Sequence, residues 1–284
     1  LKFIFLLRDK VIMTEEEFQQ ISAYMKQHYG IELKDKKEIV RGRMENFIRT
    51  GGWSSFKDFM QAVLNNQAGA QEKMLVNLLT TNYTFFMREF EHLECLRNVI
   101  LPWVKQKERG SKDIRVWCGA ASTGEEPYML AMVITDFLGL ERDQWDYRVL
   151  ATDISTKALQ QAMRGVYKEE GLKNVPDQWK RHFFVPLAGG NQYQVKDELK
   201  KQVIYRKFNL MDPFPFRKKM HAVFLRNVMI YFDRDTKREL VQKVYDCLEP
   251  GGYLVIGLTE SLESGDTLFE TVQSSVFRKK EGKG

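Results

Sequence analysis

Cysteine and histidine are scarce in this 284-residue chain, and neither clusters. The three cysteines, Cys95, Cys118 and Cys247, are far apart, odd in number and free of any CxxC spacing. The four histidines, His28, His92, His182 and His221, include no pair at metal-ligand spacing. These absences argue against a disulfide framework and against a zinc or other metal site, and they fit a reducing cytoplasm. The opening apolar patch, Phe3–Leu7, is far too short to span a membrane, and no small-residue cleavage site follows it. The expectation is a cytoplasmic protein that is not membrane-inserted. Residues 1–13 read as an extension or cloning remnant, with Met13 as the natural start. Internal repeats and low-complexity stretches are missing as well.

Charge of either sign is nearly balanced in the body of the chain. The net charge is +6, of which residues 1–13 carry +2 and residues 278–284 carry +3, leaving +1 for the 264 residues between. Basicity confined to the ends, without aromatic residues interleaved among basic ones, gives no nucleic-acid surface.

Two phosphate-binding signatures are also missing. The stretch Trp117–Pro127, WCGAASTGEEP, follows the apolar run Ile114–Trp117 and leads into the helical pattern PYMLAMVITDFLG. A strand, a glycine turn and a helix start is how many proteins offer backbone N–H groups to phosphate. Here, however, only Gly119 and Gly124 are present, with neither GxGxxG nor a lysine after the last glycine. Glu125 and Glu126 stand where pyrophosphate would sit, and two carboxylates repel it. They attract a cation, and S-adenosylmethionine carries an ammonium and a sulfonium but no phosphate. The glutamates could equally do no more than stabilise a helix N-terminus. The next strand, YRVLATD, ends in Asp153, placed to accept both ribose hydroxyls of a nucleoside or to cap the helix ISTKALQQAM. Together the two features favour an adenosyl-type cofactor in the crevice of a sheet.

The rest of the pattern divides the chain. Residues 14–80 read as helices alone. Thr14 and Glu17 form a capping-box pattern, and Phe18, Ile21, Met25 and Tyr29 follow at helical spacing up to Gly30. Val40, Met44, Phe47 and Ile48 mark a second helix, closed by Gly51 and Gly52. A third carries Phe56, Phe59, Met60 and Val63, and a fourth Met74, Leu75, Leu78 and Leu79. Residues 81–284 alternate apolar runs (DIRVW, YRVLATD, HAVFLRN, GYLVIGLTE) with helical segments, the signature of a mainly parallel α/β sheet. Residues 168–207, with Gly189 and Gly190 between alternating segments, read as an inserted antiparallel excursion. The five tryptophans are assigned to core packing.

Four motifs in this order, TTNYTFFMRE (80–89), CGAASTGEEPY (118–128), ATDIS (151–155) and RNVMIYF (226–232), resemble those of the CheR-type chemoreceptor glutamate O-methyltransferases. The resemblance runs from about residue 14 to about 278. It implies a Rossmann-like class I methyltransferase sheet with an inserted β-subdomain, after an all-helical N-terminal domain. It also implies S-adenosylmethionine as cofactor, S-adenosylhomocysteine as product, no metal, and the cytoplasmic methylation helices of chemoreceptors as partners in chemotaxis signal transduction. By the same resemblance Asn82, Thr84 and Arg88 approach the cofactor and the methyl-transfer centre. Gly119 and Ala120 belong to the cofactor turn. Glu126, with Glu125 as alternative, takes the ammonium, and Asp153 takes the ribose. Asn209 and Leu210 border the adenine, Asn227 and Val228 line the floor, and Tyr231 points toward the reacting atoms. Family members often follow the phenylalanine pair directly with arginine, whereas Met87 intervenes here. Members differ on whether a receptor tail peptide docks on the β-subdomain, and no residue here decides it.

A glutamate acceptor needs no general base, since at pH 7 only roughly one in 500 is protonated. This agrees with the want of a histidine-centred motif. Arg88 is expected to orient the acceptor carboxylate, with one hydrogen bond from Tyr231. Residues 33–50 hold six basic residues (Lys34, Lys36, Lys37, Arg41, Arg43, Arg49) against three acidic ones, which either recruit acidic receptor helices or form a solvated surface. A methyltransferase of another substrate class and a non-catalytic signalling scaffold are the competing readings; Arg88 and Tyr231 favour an enzyme.

Overall fold

The computed structural model describes residues 12–262 and 269–281, so most of the 1–13 extension lies outside the described residues. The chain divides into two units, with the boundary between Thr81 and Asn82.

Among the described residues the first unit holds four helices: α1 (Glu15–Tyr29), α2 (Lys37–Thr50), α3 (Phe56–Asn65) and α4 (Ala70–Leu79). The capping box opens α1: Glu17 N donates to Thr14 Oγ1 at 3.1 Å, and Thr14 N to Glu17 Oε2 at 2.9 Å. The apolar stripes of α1, α2 and α3 bury Ile21, Met25, Met44, Ile48, Phe59 and Met60. On α4 the stripe is Leu75, Val76 and Leu79, while Met74, expected to face inward, is exposed. Several basic residues of 33–50 are engaged inside this unit. Arg43 donates to the carbonyls of Leu79 and Thr80 and to Thr81 Oγ1, capping the end of α4. Lys37 pairs with Glu15 and Arg41 with Glu38. Part of the expected positive field is therefore neutralised locally, and Arg43 is structural.

The second unit opens with two short helices, α5 (Glu91–Cys95) and α6 (Leu101–Lys107), then alternates strands and helices. These are β1 (Val116–Cys118), α7 (Glu125–Leu138), β2 (Val149–Asp153), α8 (Thr156–Arg164), β3 (Val166–Lys168), α9 (Asp177–Phe183), β4 (Phe184–Pro186), β5 (Gln192–Val195), α10 (Asp197–Lys200), β6 (Val203–Lys207), β7 (Met220–Leu225), α11 (Arg234–Cys247), β8 (Leu248–Ile256), β9 (Phe269–Gln273) and β10 (Val276–Lys279). The main sheet runs β6-β2-β1-β7-β8-β10-β9. Its first five strands are parallel, and β10 and β9 add antiparallel beyond β8. The register places Trp117 beside Leu150 and Val223. Strands β1 and β7 are buried at every residue, which explains their unbroken apolar runs.

Two strand assignments differ from the sequence expectation. The antiparallel excursion is smaller than 168–207: β3, β5 and β4 form its sheet, and Gly189 and Gly190 turn between β4 and β5 at positive φ. Val203–Lys207 instead pairs in parallel with β2 and edges the main sheet. An edge strand is half wet, so VIYRK is only partly buried and ends in two exposed basic residues, unlike the unbroken apolar runs of β1 and β7. The β9–β10 hairpin also went unanticipated, because β9 is exposed beyond Phe269.

From β1 the chain steps outward to β2 and β6, then returns to β7 on the other side of β1. The carboxyl ends of β1 and β7 thus flank the crevice where open parallel sheets bind ligands.

Candidate active site

Close packing forces the turn after β1. Gly119 N donates to Phe224 O at 2.8 Å, and a Cβ on Gly119 would lie 2.8 Å from Leu225 Cδ1. Leu210, buried, approaches the same point. The chain then passes Ala120 and reverses through Ser122 at φ 49° and Gly124 at φ 98°. A side chain on Gly124 would be strained by that φ and would meet Ala162 Cβ at 2.7 Å.

Asp153 ties this turn to the end of β2. Its Oδ2 accepts from Ser122 N and its Oδ1 from Ser155 N, both at 2.8 Å. Burial pushes its carboxyl above the usual range, and the backbone N–H groups oppose the rise. The cap of α8 is Ser155, whose Oγ accepts from Ala158 N. The helix-cap alternative for Asp153 is therefore removed. Ser122 Oγ also donates to Asn82 O at 2.8 Å, bringing the 82–90 segment to the turn.

The two glutamates separate. Glu125 is buried and accepts from Thr123 Oγ1 at 2.6 Å, within its own turn. Glu126 Oε2 accepts from Arg226 Nη1 at 2.9 Å, and its Oε1 accepts from the Cys118 thiol at 3.4 Å. Burial raises the Glu126 carboxyl, and Arg226 opposes the rise. Burial and the adjacent Glu126 push the Cys118 thiol well up, which keeps it a proton donor.

Arg226, with 1% of its side chain exposed, is the hub. Besides Glu126 it donates through Nε to Glu89 Oε2 at 3.2 Å and through Nη2 to Arg88 O at 2.5 Å. Glu89 Oε1 in turn accepts from Asn227 Nδ2 at 3.2 Å. Burial works to raise the Glu89 carboxyl, but Arg226's charge and the hydrogen bonds of Asn227 and Arg226 outweigh it and hold it low. Asn227 sits at φ 54°, a conformation asparagine tolerates. Its N–H donates to Glu260 Oε2 at 2.7 Å, and the same carboxylate takes the N–H groups of Gly257 and Ile230.

The 82–90 segment is strained at two positions. Met87 lies at φ 67° and Glu89 at φ 51°, although neither is glycine. Phe86 anchors the segment, its ring 4.8 Å from that of Tyr167 and 5.6 Å from that of Phe184. Arg88 keeps a quarter of its side chain exposed, donates through Nη1 to Tyr83 O at 3.1 Å, and lies 5.7 Å over the Phe85 ring.

Hydrogen bonds thus gather Asn82, Arg88, Glu126, Asp153 and Asn227 around the ends of β1, β2 and β7. Leu210 Cδ2 lies 3.6 Å from where a Cβ on Gly119 would stand, which brings these two residues together as well. Asn209 Oδ1 accepts from Met211 N, bending the chain after β6. Thr84, Ala120, Val228 and Tyr231 are half-buried in the same loops, Tyr231 ending a 3-10 turn whose N–H donates to Val228 O. Three residues with contacts here had no assigned role: Glu89, Arg226 and Glu260. Glu89 and Arg226 stood inside the motifs TTNYTFFMRE and RNVMIYF, but their pairing crosses 137 positions.

The donor set fits S-adenosylmethionine. Glu89 and Glu126 together outnumber Arg226, and every guanidinium nitrogen of Arg226 is already spent on a carboxylate or a carbonyl. At Glu126 a phosphate would meet carboxylates and a guanidinium already engaged, whereas an ammonium would be drawn to those carboxylates. Among the described residues no group of three His, Cys, Asp or Glu could hold a metal ion, and no helix is long and apolar enough to cross a membrane.

Comparison with known proteins agrees along the chain. Residues 16–80 match the family model for the CheR methyltransferase all-alpha domain, and residues 82–278 that for the CheR methyltransferase SAM binding domain. A chemotaxis protein methyltransferase of Borreliella burgdorferi is 34% identical over 271 residues, covering 94% of this chain and 95% of that one. The chemotaxis protein methyltransferase of Escherichia coli is 33% identical over 279 residues, covering 95% and 93%. A probable chemotaxis protein methyltransferase of Rhizobium etli is 35% identical over 254 residues, covering 88% and 94%. The chain belongs to the CheR methyltransferase family and is an S-adenosylmethionine-dependent methyltransferase.

Proposed function

We propose that the enzyme methylates glutamate side chains on the cytoplasmic methylation helices of chemoreceptors, forming glutamate methyl esters. The observation that carries this reading is the arrangement of Arg226, Glu126 and Glu89 beside Arg88. It combines a carboxylate-rich cofactor crevice with one partly exposed arginine.

Glu126, oriented by Arg226 and Cys118, would hold the cofactor ammonium. Asp153, fixed by two backbone N–H groups, would hold the ribose hydroxyls. Asn209 and Leu210 would border the adenine, with Asn82, Thr84, Gly119, Ala120, Asn227 and Val228 lining the remainder. The chemistry that S-adenosylmethionine supplies when bound is an electrophilic methyl group on a sulfonium. Arg88 then has one task, to orient an acceptor carboxylate that is already ionised. Too strong a grip would slow transfer, because the acceptor's charge is lost as the ester forms. The Arg88 guanidinium is shared with Tyr83 O and stacked near Phe85, which moderates that grip. Tyr231 would donate a single hydrogen bond.

In the β-subdomain, β3 and β4 each pair only with β5 among the described residues. A receptor tail peptide is the proposed occupant of such an edge, added as a further strand.

The test is incubation with methyl-labelled cofactor and receptor-rich membranes. The reading expects base-labile label on receptor glutamates. Base-stable label, or label in RNA, would contradict it.

A further inference from the structure

Beyond the loops that face the crevice, the turn after β6 is held from behind. Asn209–Asp212 is a tight turn in which Asp212 N donates to Asn209 O at 3.0 Å and Met211 N to Asn209 Oδ1 at 3.1 Å. Its carbonyls at Leu210, Met211 and Asp212 converge, like those at a helix C-terminus. Pro213 and Pro215 have no N–H to offer them, and proline after Asp212 disfavours a continuing helix.

Lys243, on α11, reaches all three carbonyls. Its Nζ donates to Leu210 O at 2.6 Å, Met211 O at 3.0 Å and Asp212 O at 3.3 Å. An ammonium has three protons, so this geometry uses every one. The same Nζ lies 5.2 Å from the centroid of Phe214, whose ring meets Trp117 edge-on at 4.9 Å. Trp117 Nε1 donates to Thr152 Oγ1, the residue before Asp153. The turn is therefore pinned both to α11 and to the strands that carry the crevice.

We infer that Lys243 is a positioning residue for cofactor recognition: it fixes the Asn209–Asp212 turn so that Asn209 and Leu210 meet the adenine. It touches neither cofactor nor substrate. The inference rests on the proposed place of Asn209 and Leu210 beside the adenine.

The experiment compares Lys243→Met and Lys243→Arg with the parent enzyme in calorimetric titration with S-adenosylhomocysteine, and in inhibition by adenosine and by methionine separately. Lys243→Met should weaken S-adenosylhomocysteine and adenosine by about tenfold while methionine inhibition stays unchanged, a split that general loosening would not give. Lys243→Arg, still able to donate to several carbonyls, should restore part of the loss. Equal weakening of adenosine and methionine would overturn the inference. So would unchanged affinity in Lys243→Met, provided that Leu210→Asp abolishes binding. If Leu210→Asp also binds normally, the adenine placement itself falls, and the inference with it. Should Lys243→Met fail to fold, Lys243→Gln, which retains an N–H donor, reads the same ratio.

Discussion

Arg226 and Glu126 meet at 2.9 Å across a hundred positions of sequence, and the same guanidinium holds Glu89 and the carbonyl of Arg88. One buried cation thus sets the geometry around Glu126 and of the segment that carries Arg88, the residue proposed to orient the acceptor. Removing it takes the buried cation from two desolvated carboxylates, Glu89 keeping Arg88 Nε at 3.9 Å and the Asn227 amide at 3.2 Å. Arg226→Met should cost about 3–5 kcal/mol of stability, read as a lowered denaturant midpoint. The double variant with Glu126→Gln should lose less than the sum of the two single losses. Strict additivity would show that the pair is not coupled.

Arg88 supplies its carbonyl to Arg226 through the backbone, which alanine retains; to the hub its side chain adds a single 3.9 Å contact from Nε to Glu89, so removing it leaves the Arg226 hydrogen bonds in place. Arg88→Ala should lower turnover by about a hundredfold while changing S-adenosylhomocysteine affinity by less than about threefold. A methyl-transfer assay beside a binding titration separates the two. Unchanged turnover would remove Arg88 from the mechanism.

His92 is fully buried, its Nε2 2.7 Å from Ser275 Oγ and its Nδ1 3.4 Å from Glu89 Oε2. Burial first, then the charge of Arg226, holds its pKa down to about 4 against the opposing pull of Glu89 and Glu91. Below about pH 6.5 the unfolded chain takes up a proton that the folded one refuses. His92 therefore contributes stability that is complete above pH 6.5 and lost as the pH falls toward 4, on the order of 3 kcal/mol. His221, also lowered mainly by burial, acts in the same direction. Urea midpoints measured from pH 7 to pH 4 should fall, and His92→Gln should flatten the slope. An equally steep slope in that variant would exclude His92 as a source.

The sequence carried what local pattern can carry. The strand, glycine turn and helix around Trp117–Pro127 were legible because backbone approach and helix entry leave short-range marks. Asp153 was legible because a carboxylate ending an apolar strand is unusual. Glu89, Arg226 and Glu260 were not, since their meaning lies in partners far along the chain. The strand Val203–Lys207 differs from the sequence expectation for a related reason: its parallel partner, β2, lies some fifty positions back, and its exposed Arg206 and Lys207 lack the apolar run of a buried parallel strand. Arg43 looked like part of a recruiting surface, and only its distance to the end of α4 shows it capping a helix.

The central claim is that this crevice takes a positively charged methyl donor rather than a phosphorylated nucleotide. Calorimetric titration of the parent protein and of Glu126→Gln and Asp153→Asn with S-adenosylmethionine, alongside ATP, tests it most directly. The parent should bind S-adenosylmethionine and not ATP, and each variant should bind at least about tenfold more weakly. Undiminished binding by both variants, or ATP held as tightly as the methyl donor, would contradict the account.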